Sequence, residues 1–99
     1  MGAPDGMTID CDGMLWIAHW GGSCVARWNP ENGELLERVE VPAPNVSCCS
    51  FGGEDLQTLY ITTAREGLTE KQLLEFPLSG GVFFYKAKTA GINGFCFQI

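Results

Sequence analysis

Positive charge is scarce in this sequence: 6 Lys and Arg stand against 12 Asp and Glu in 99 residues, a formal charge of -6. Such a surface repels phosphate backbones and anionic headgroups, so neither nucleic acid nor a membrane surface is an expected partner. No apolar run approaches the roughly 18 residues that span a bilayer. The opening residues Met1 to Gly6 supply neither the basic nor the apolar segment of a signal peptide, and the expected location is cytoplasmic. Histidine occurs once, as His19, so a Ser-His-Asp or Cys-His relay would have to use it, and no Gly-x-Ser-x-Gly turn accompanies it. Placed at a strand end beside Trp20, it reads as a packed or solvent-edge side chain.

The five cysteines (Cys11, Cys24, Cys48, Cys49 and Cys96) are odd in number and contain no Cys-x-x-Cys pair, which argues against both a disulfide framework and a zinc finger. They read as small buried thiols. Cys48 and Cys49 are adjacent, so on a strand they point to opposite faces and cannot share one metal; core filling is their expected role. Asp10-Cys11-Asp12-Gly13 does not continue as a calcium loop. An EF-hand needs glycine at its sixth position and glutamate at its twelfth, where this chain has Leu15 and Gly21. Asn45-Val46-Ser47 is a formal glycosylation sequon, read as chance.

What the sequence does have is 45% apolar residues, 18% charged, 13 Gly and 5 Pro, the proportions of one small all-β domain rich in turns. Short strand-like runs cover Met7–Asp10, Met14–His19, Cys24–Trp28 and Glu34–Val41. They are separated by Asp12-Gly13, Gly21-Gly22-Ser23 and the turn at Asn29 to Gly33. Four strands with short connections make an antiparallel meander. The alternation of charge with valine before Val41 marks an outer strand with one wet face.

The chain then begins again, at a shift of about 40 residues that is typical of β-propeller blades. Pro44-Asn45 matches Pro4-Asp5, Gly53 matches Gly13, Leu59-Tyr60-Ile61-Thr62 matches Leu15-Trp16-Ile17-Ala18, and Gly80-Gly81 matches Gly21-Gly22. Residues Arg65 to Ser79 interrupt the second unit. Within them Thr69-Glu70-Lys71-Gln72 has the form of a capping box starting a short helix near 69–76. Val82–Lys86 is the third strand, and Phe95-Cys96-Phe97 follows without a clear fourth. The expectation is a single domain of about two four-stranded blades, 4–41 and an incomplete 42–99. Two blades alone would leave two broad apolar faces in water.

Pro4 to Asp10, Leu15 to Ala18, Ser47 to Gly53 and Leu59 to Gly67, in that order and spacing, resemble the regucalcin (senescence marker protein) and gluconolactonase family. The resemblance covers nearly the whole chain but only the last third of the family's length. It implies a six-bladed propeller, of which these would be the fifth and sixth blades, a divalent metal such as Ca²⁺ or Zn²⁺ on the central axis, and hydrolysis of sugar lactones. The family's axial metal is held by a glutamate, an asparagine and the aspartate of Pro-Asp-Gly, and only the last is here, as Asp5.

Asp5 is thus the candidate metal ligand and catalytic carboxylate, able to orient or deprotonate an attacking water. Judged on turn chemistry alone, Pro-Asp-Gly is simply a turn. Asn45, at the matching position of the repeat, is the second candidate ligand, against its reading as a turn-forming Asn. Trp16, Trp20, Trp28, Phe83, Phe84 and Tyr85 could stack on a sugar but are also the normal material of packed strands. Two functions remain: part of a metal-dependent lactone hydrolase whose ring closes as a homo-oligomer, most simply three copies, or a non-catalytic structural module.

Overall fold

The computed structural model describes residues 2–92, which form two antiparallel sheets. The first has the order β1 (Ala3–Ile9), β2 (Leu15–Trp20), β3 (Cys24–Trp28), β4 (Leu35–Glu40); the second has β5 (Val46–Gly52), β6 (Thr58–Thr63), β7 (Val82–Lys86). Each is the meander expected from the turn spacing. The short helix α1 (Glu70–Glu75) lies between β6 and β7. Its capping box is formed: Gln72 N donates to Thr69 Oγ1 at 3.2 Å, and Thr69 N donates to Gln72 Oε1 at 3.0 Å. Among the described residues no helix is long and apolar enough to cross a membrane. Phe95-Cys96-Phe97 lies outside the described residues.

Strand alternation assigns each side chain to one of two faces. In the first sheet Trp16, Ala18, Val25 and Val39 share a face that packs against Cys49, Leu59 and Ile61 of the second. Phe51 meets Trp16 edge-on at 5.6 Å between ring centroids, and Tyr85 lies 6.4 Å from it. The Tyr85 hydroxyl donates to Glu37 Oε2 at 2.6 Å, joining β7 to β4 at the rim of this core. The opposite faces are open. Met7 and Leu35 are exposed on the first sheet, and Tyr60, Val82 and Phe84 on the second.

Asp10, directly after β1, is a fully buried carboxylate. Its Oδ1 accepts from the backbone N–H groups of Asp12 (2.9 Å) and Met14 (3.1 Å), and its Oδ2 from Trp16 Nε1 and Arg27 Nε, both at 2.8 Å. The β1–β2 connection is built on it: Gly13 N donates to Asp10 O at 3.0 Å and Gly13 has φ +80°, a tight turn followed by a left-handed residue. The reversal thus takes the three residues Cys11 to Gly13. The Arg27 guanidinium also lies 5.8 Å from the Trp16 ring centroid.

Burial alone would raise the pKa of Asp10. The hydrogen bonds from Arg27, Trp16, Met14 and Asp12 outweigh it and hold the carboxyl below its ordinary value of 3.8. A group depressed in the folded state contributes stability that is present above the ordinary carboxylate range and lost as the pH falls through the folded-state pKa. Asp10→Ala, which strands Arg27, is expected to cost about 3–5 kcal/mol at neutral pH in urea unfolding. Asp10→Asn should flatten the loss of stability below about pH 4.

Candidate functional site

The first strands of the two sheets approach each other at Gly6. A Cβ built on Gly6 would lie 2.5 Å from Cys48 Sγ and 2.9 Å from Cys48 Cα, so only glycine fits. Pro4-Asp5-Gly6 is not a turn here, which corrects the turn reading. It is a β-bulge within β1, where the pairing shifts between Pro4↔His19 and Met7↔Ile17. Proline is tolerated because β1 is an edge strand. The bulge leaves Asp5 exposed next to the closest approach of the two strands.

The second sheet repeats this irregularity. Its shift falls between Val46↔Thr63 and Cys48↔Thr62, so Val46 matches Pro4 and Ser47 matches Asp5. The inner-strand repeat is therefore 42 residues, and the expected equivalence of Asn45 with Asp5 is corrected: Asn45 falls two residues earlier. The β2 and β6 match does hold, since Leu15 and Leu59 take corresponding pairings with Ile9 and Phe51. The signal for the true register was available in the apolar residues that end the two first strands, Ile9 and Phe51. Matching the two prolines instead displaced it.

Asn45 is buried and structurally committed. Its Nδ2 donates to Glu66 O at 2.9 Å, its carbonyl accepts from Ala64 N at 2.9 Å, and its backbone bridges to Trp20. Ser47 Oγ lies 2.8 Å from Thr62 Oγ1. Asp5 and Asn45 are thus placed differently, one exposed at the bulge and one holding the root of the 64–81 insertion. Among the described residues no three of His, Cys, Asp and Glu are grouped so as to hold a metal ion.

The remaining candidates are structural. His19 is buried, and the Trp28 indole donates to its Nε2 at 3.4 Å; burial lowers its pKa. Cys49 donates to Trp16 O at 3.3 Å, and burial pushes its thiol up to about 12. Cys24 is buried too, but Cys11 and Cys48 are exposed, which corrects the expectation that all the thiols fill the core. Cys48 is outward because its neighbour points inward, the alternation expected of adjacent strand residues. Cys96 lies outside the described residues. The aromatic residues divide in the same way: Trp16 is buried, Phe83 and Tyr85 line the core, and Phe84 is 76% exposed.

Residues 1–65 match the family described as the SMP-30/Gluconolactonase/LRE-like region. The chain belongs to this family. It is 52% identical over 90 residues to a putative sugar lactone lactonase, YvrE, of Bacillus subtilis, covering 91% of this chain and 31% of that protein. Regucalcin of Bos taurus is 44% identical over 91 residues, covering 92% of this chain and 30% of regucalcin. Among solved structures, a calcium-binding regucalcin from Agrobacterium tumefaciens superposes with a TM-score of 0.85 at 33% identity, covering 92% of this chain and 30% of that one. A luciferin-regenerating enzyme gives a TM-score of 0.83 at 33% identity, with 95% and 31% covered. The two sheets are β-propeller blades of this family, and the chain spans about 30% of the length of the relatives it matches.

Gly6→Ala is expected to destabilise the fold by about 1–3 kcal/mol, because its methyl group meets backbone as well as the Cys48 thiol; chemical denaturation measures it. Asn45→Ala should cost about 1 kcal/mol through the lost bond to Glu66 O, whereas Asp5→Ala should leave the unfolding midpoint unchanged. A midpoint lowered equally by both would remove the distinction drawn between them.

Proposed function

We propose that this chain is part of a sugar-lactone hydrolase and that Asp5 is the carboxylate it contributes to the site. The supporting observation is the placement of Asp5, exposed on the bulge where the two blades' first strands meet, in a chain 52% identical to a putative sugar lactone lactonase. The reaction class adds water across a ring ester, breaking its C–O bond and giving a hydroxy acid. An exposed carboxylate at that meeting point suits both cation binding and the handling of that water's proton.

A structural relative is described as a calcium-binding protein, and a divalent cation, Ca²⁺ or Zn²⁺, is proposed for the assembled site. The described residues do not fit such an ion: Asp5 is a single carboxylate, Asn45 is held by Glu66, and no three of His, Cys, Asp and Glu are grouped among them. Cation binding therefore requires oxygen ligands from outside the described residues. The same observation favours a second reading, a non-catalytic blade pair that serves only to build or join a propeller.

The experiment is hydrolysis of a gluconolactone-type substrate, followed by acid release with and without added Ca²⁺ or Zn²⁺. The hydrolase reading expects turnover that chelator abolishes and Asp5→Ala lowers by about 100-fold or more, with Asn45→Ala close to the parent once folded. No turnover above the uncatalysed rate under any of these conditions would favour the structural reading.

A further inference from the structure

The register of the two sheets gathers several strand termini at one end of the blade pair. The start of β1 pairs with the end of β2, Pro4↔His19, and the start of β5 with the end of β6, Val46↔Thr63. The bridge Trp20↔Asn45 and a bond from Ser23 N to Pro44 O at 3.1 Å join the sheets there. Thr62 pairs with Val82, so the excursion through residues 64–81 leaves and returns at this same end, which also carries the Asp5 bulge. Arg65 stands near the root of that excursion. Ala64 N donates to Asn45 O at 2.9 Å and Leu68 N to Arg65 O at 3.1 Å, so the backbone is tied on both sides of it. Gly80, at φ +91°, makes room for the Arg65 stem: a Cβ there would lie 2.9 Å from Arg65 Cγ and 3.1 Å from its Cδ. Arg27, Arg38 and Lys86 each pair with a carboxylate, whereas among the described residues Arg65 enters no ion pair. Lys88 follows β7 at the opposite end, where Lys86 pairs with Thr58.

We infer that the Arg65 guanidinium binds the carboxylate of the hydroxy acid that opening of a lactone releases; the identity of that ligand rests on the hydrolase reading above. In the reaction water adds its oxygen to the carbonyl carbon, the ring C–O bond breaks, and the leaving oxygen takes a proton. The acid then loses its own proton at neutral pH, so a neutral ring becomes a monoanion. A chain of formal charge -6 repels such an anion, which is retained only where a cation is free to meet it. Arginine suits this task because its planar fork offers a carboxylate two parallel N–H···O bonds and stays charged at neutral pH. A stem seated against Gly80 has already lost part of its rotamer freedom, which lowers the ordering cost of binding. Asp5 then serves the attacking water, and Arg65 meets the charge that appears as the ring opens.

Titration calorimetry of the full chain with sodium gluconate tests this without requiring turnover, beside glucitol, an uncharged polyol of the same carbon chain. Gluconate is expected to bind the parent, and Arg65→Gln to weaken that binding by about tenfold or more. Arg65→Lys should fall between them, since it keeps the charge and loses the fork. Lys88→Gln removes the same charge at the opposite end and should leave the affinity within about twofold. Circular dichroism checks the folding of each variant. No gluconate binding by the parent, an affinity that Arg65→Gln leaves unchanged, or an equal loss with Lys88→Gln would overturn the inference. So would binding of glucitol that depends on Arg65 as strongly. Gluconate held through Arg65 by a chain that hydrolyses no lactone would support this inference while removing the hydrolase reading; turnover with gluconate binding indifferent to Arg65 would do the reverse.

Discussion

A strand sends alternate side chains to opposite sides, so a sheet built of apolar residues on both sides cannot be satisfied by one neighbour. This constraint organises the molecule. Trp16 and Ala18 find Leu59, Ile61 and Phe51 across the joint between the sheets, while Ile17 and Leu15, one residue away, face the other direction. The same alternation separates Cys49 from Cys48 and Phe83 from Phe84, dividing each pair between core and surface.

The joint is held at defined points as well as by apolar contact. Asp10 ties the β1–β2 connection to Trp16, whose ring is the centre of the inter-sheet packing, and to Arg27 on the neighbouring strand. Tyr85 and Glu37 close the outer margin, and Gly6 lets β1 lie against Cys48 at the inner one. The bulge carrying Asp5 is thus fixed from below by the strand ladder and from the side by the second sheet. An exposed carboxylate gains a defined position without being buried itself.

Much of the architecture was legible in the sequence. Apolar runs separated by Gly, Pro and Asn turns marked the strands, and the Thr69–Gln72 spacing marked the helix, because these signals are local and each has one structural meaning. The bulge was not legible: Pro-Asp-Gly satisfies a turn and a bulge equally, and only pairing with β2 decides between them. Asn45 was misplaced because proline identity was matched across the repeat, whereas hydrogen-bond register controls which residue reaches the bulge. Asp10 stands out in the sequence only as the first residue of an incomplete calcium loop. Its actual partners, Trp16 and Arg27, lie 6 and 17 residues away and become neighbours only through the meander.

The excursion between β6 and β7 is clamped at both ends. Asn45 holds the carbonyl of Glu66, while Thr63 Oγ1 donates to Gly81 O at 2.7 Å and accepts from Gly80 N at 3.0 Å. Between these clamps lie α1 and the exposed Leu74 and Leu78, which take no part in the inter-sheet core. Evolution and engineering alike are therefore free to exchange residues 67–78 for a different cargo, an epitope or a recognition loop, since the ladder beneath is already tied off before the departure begins.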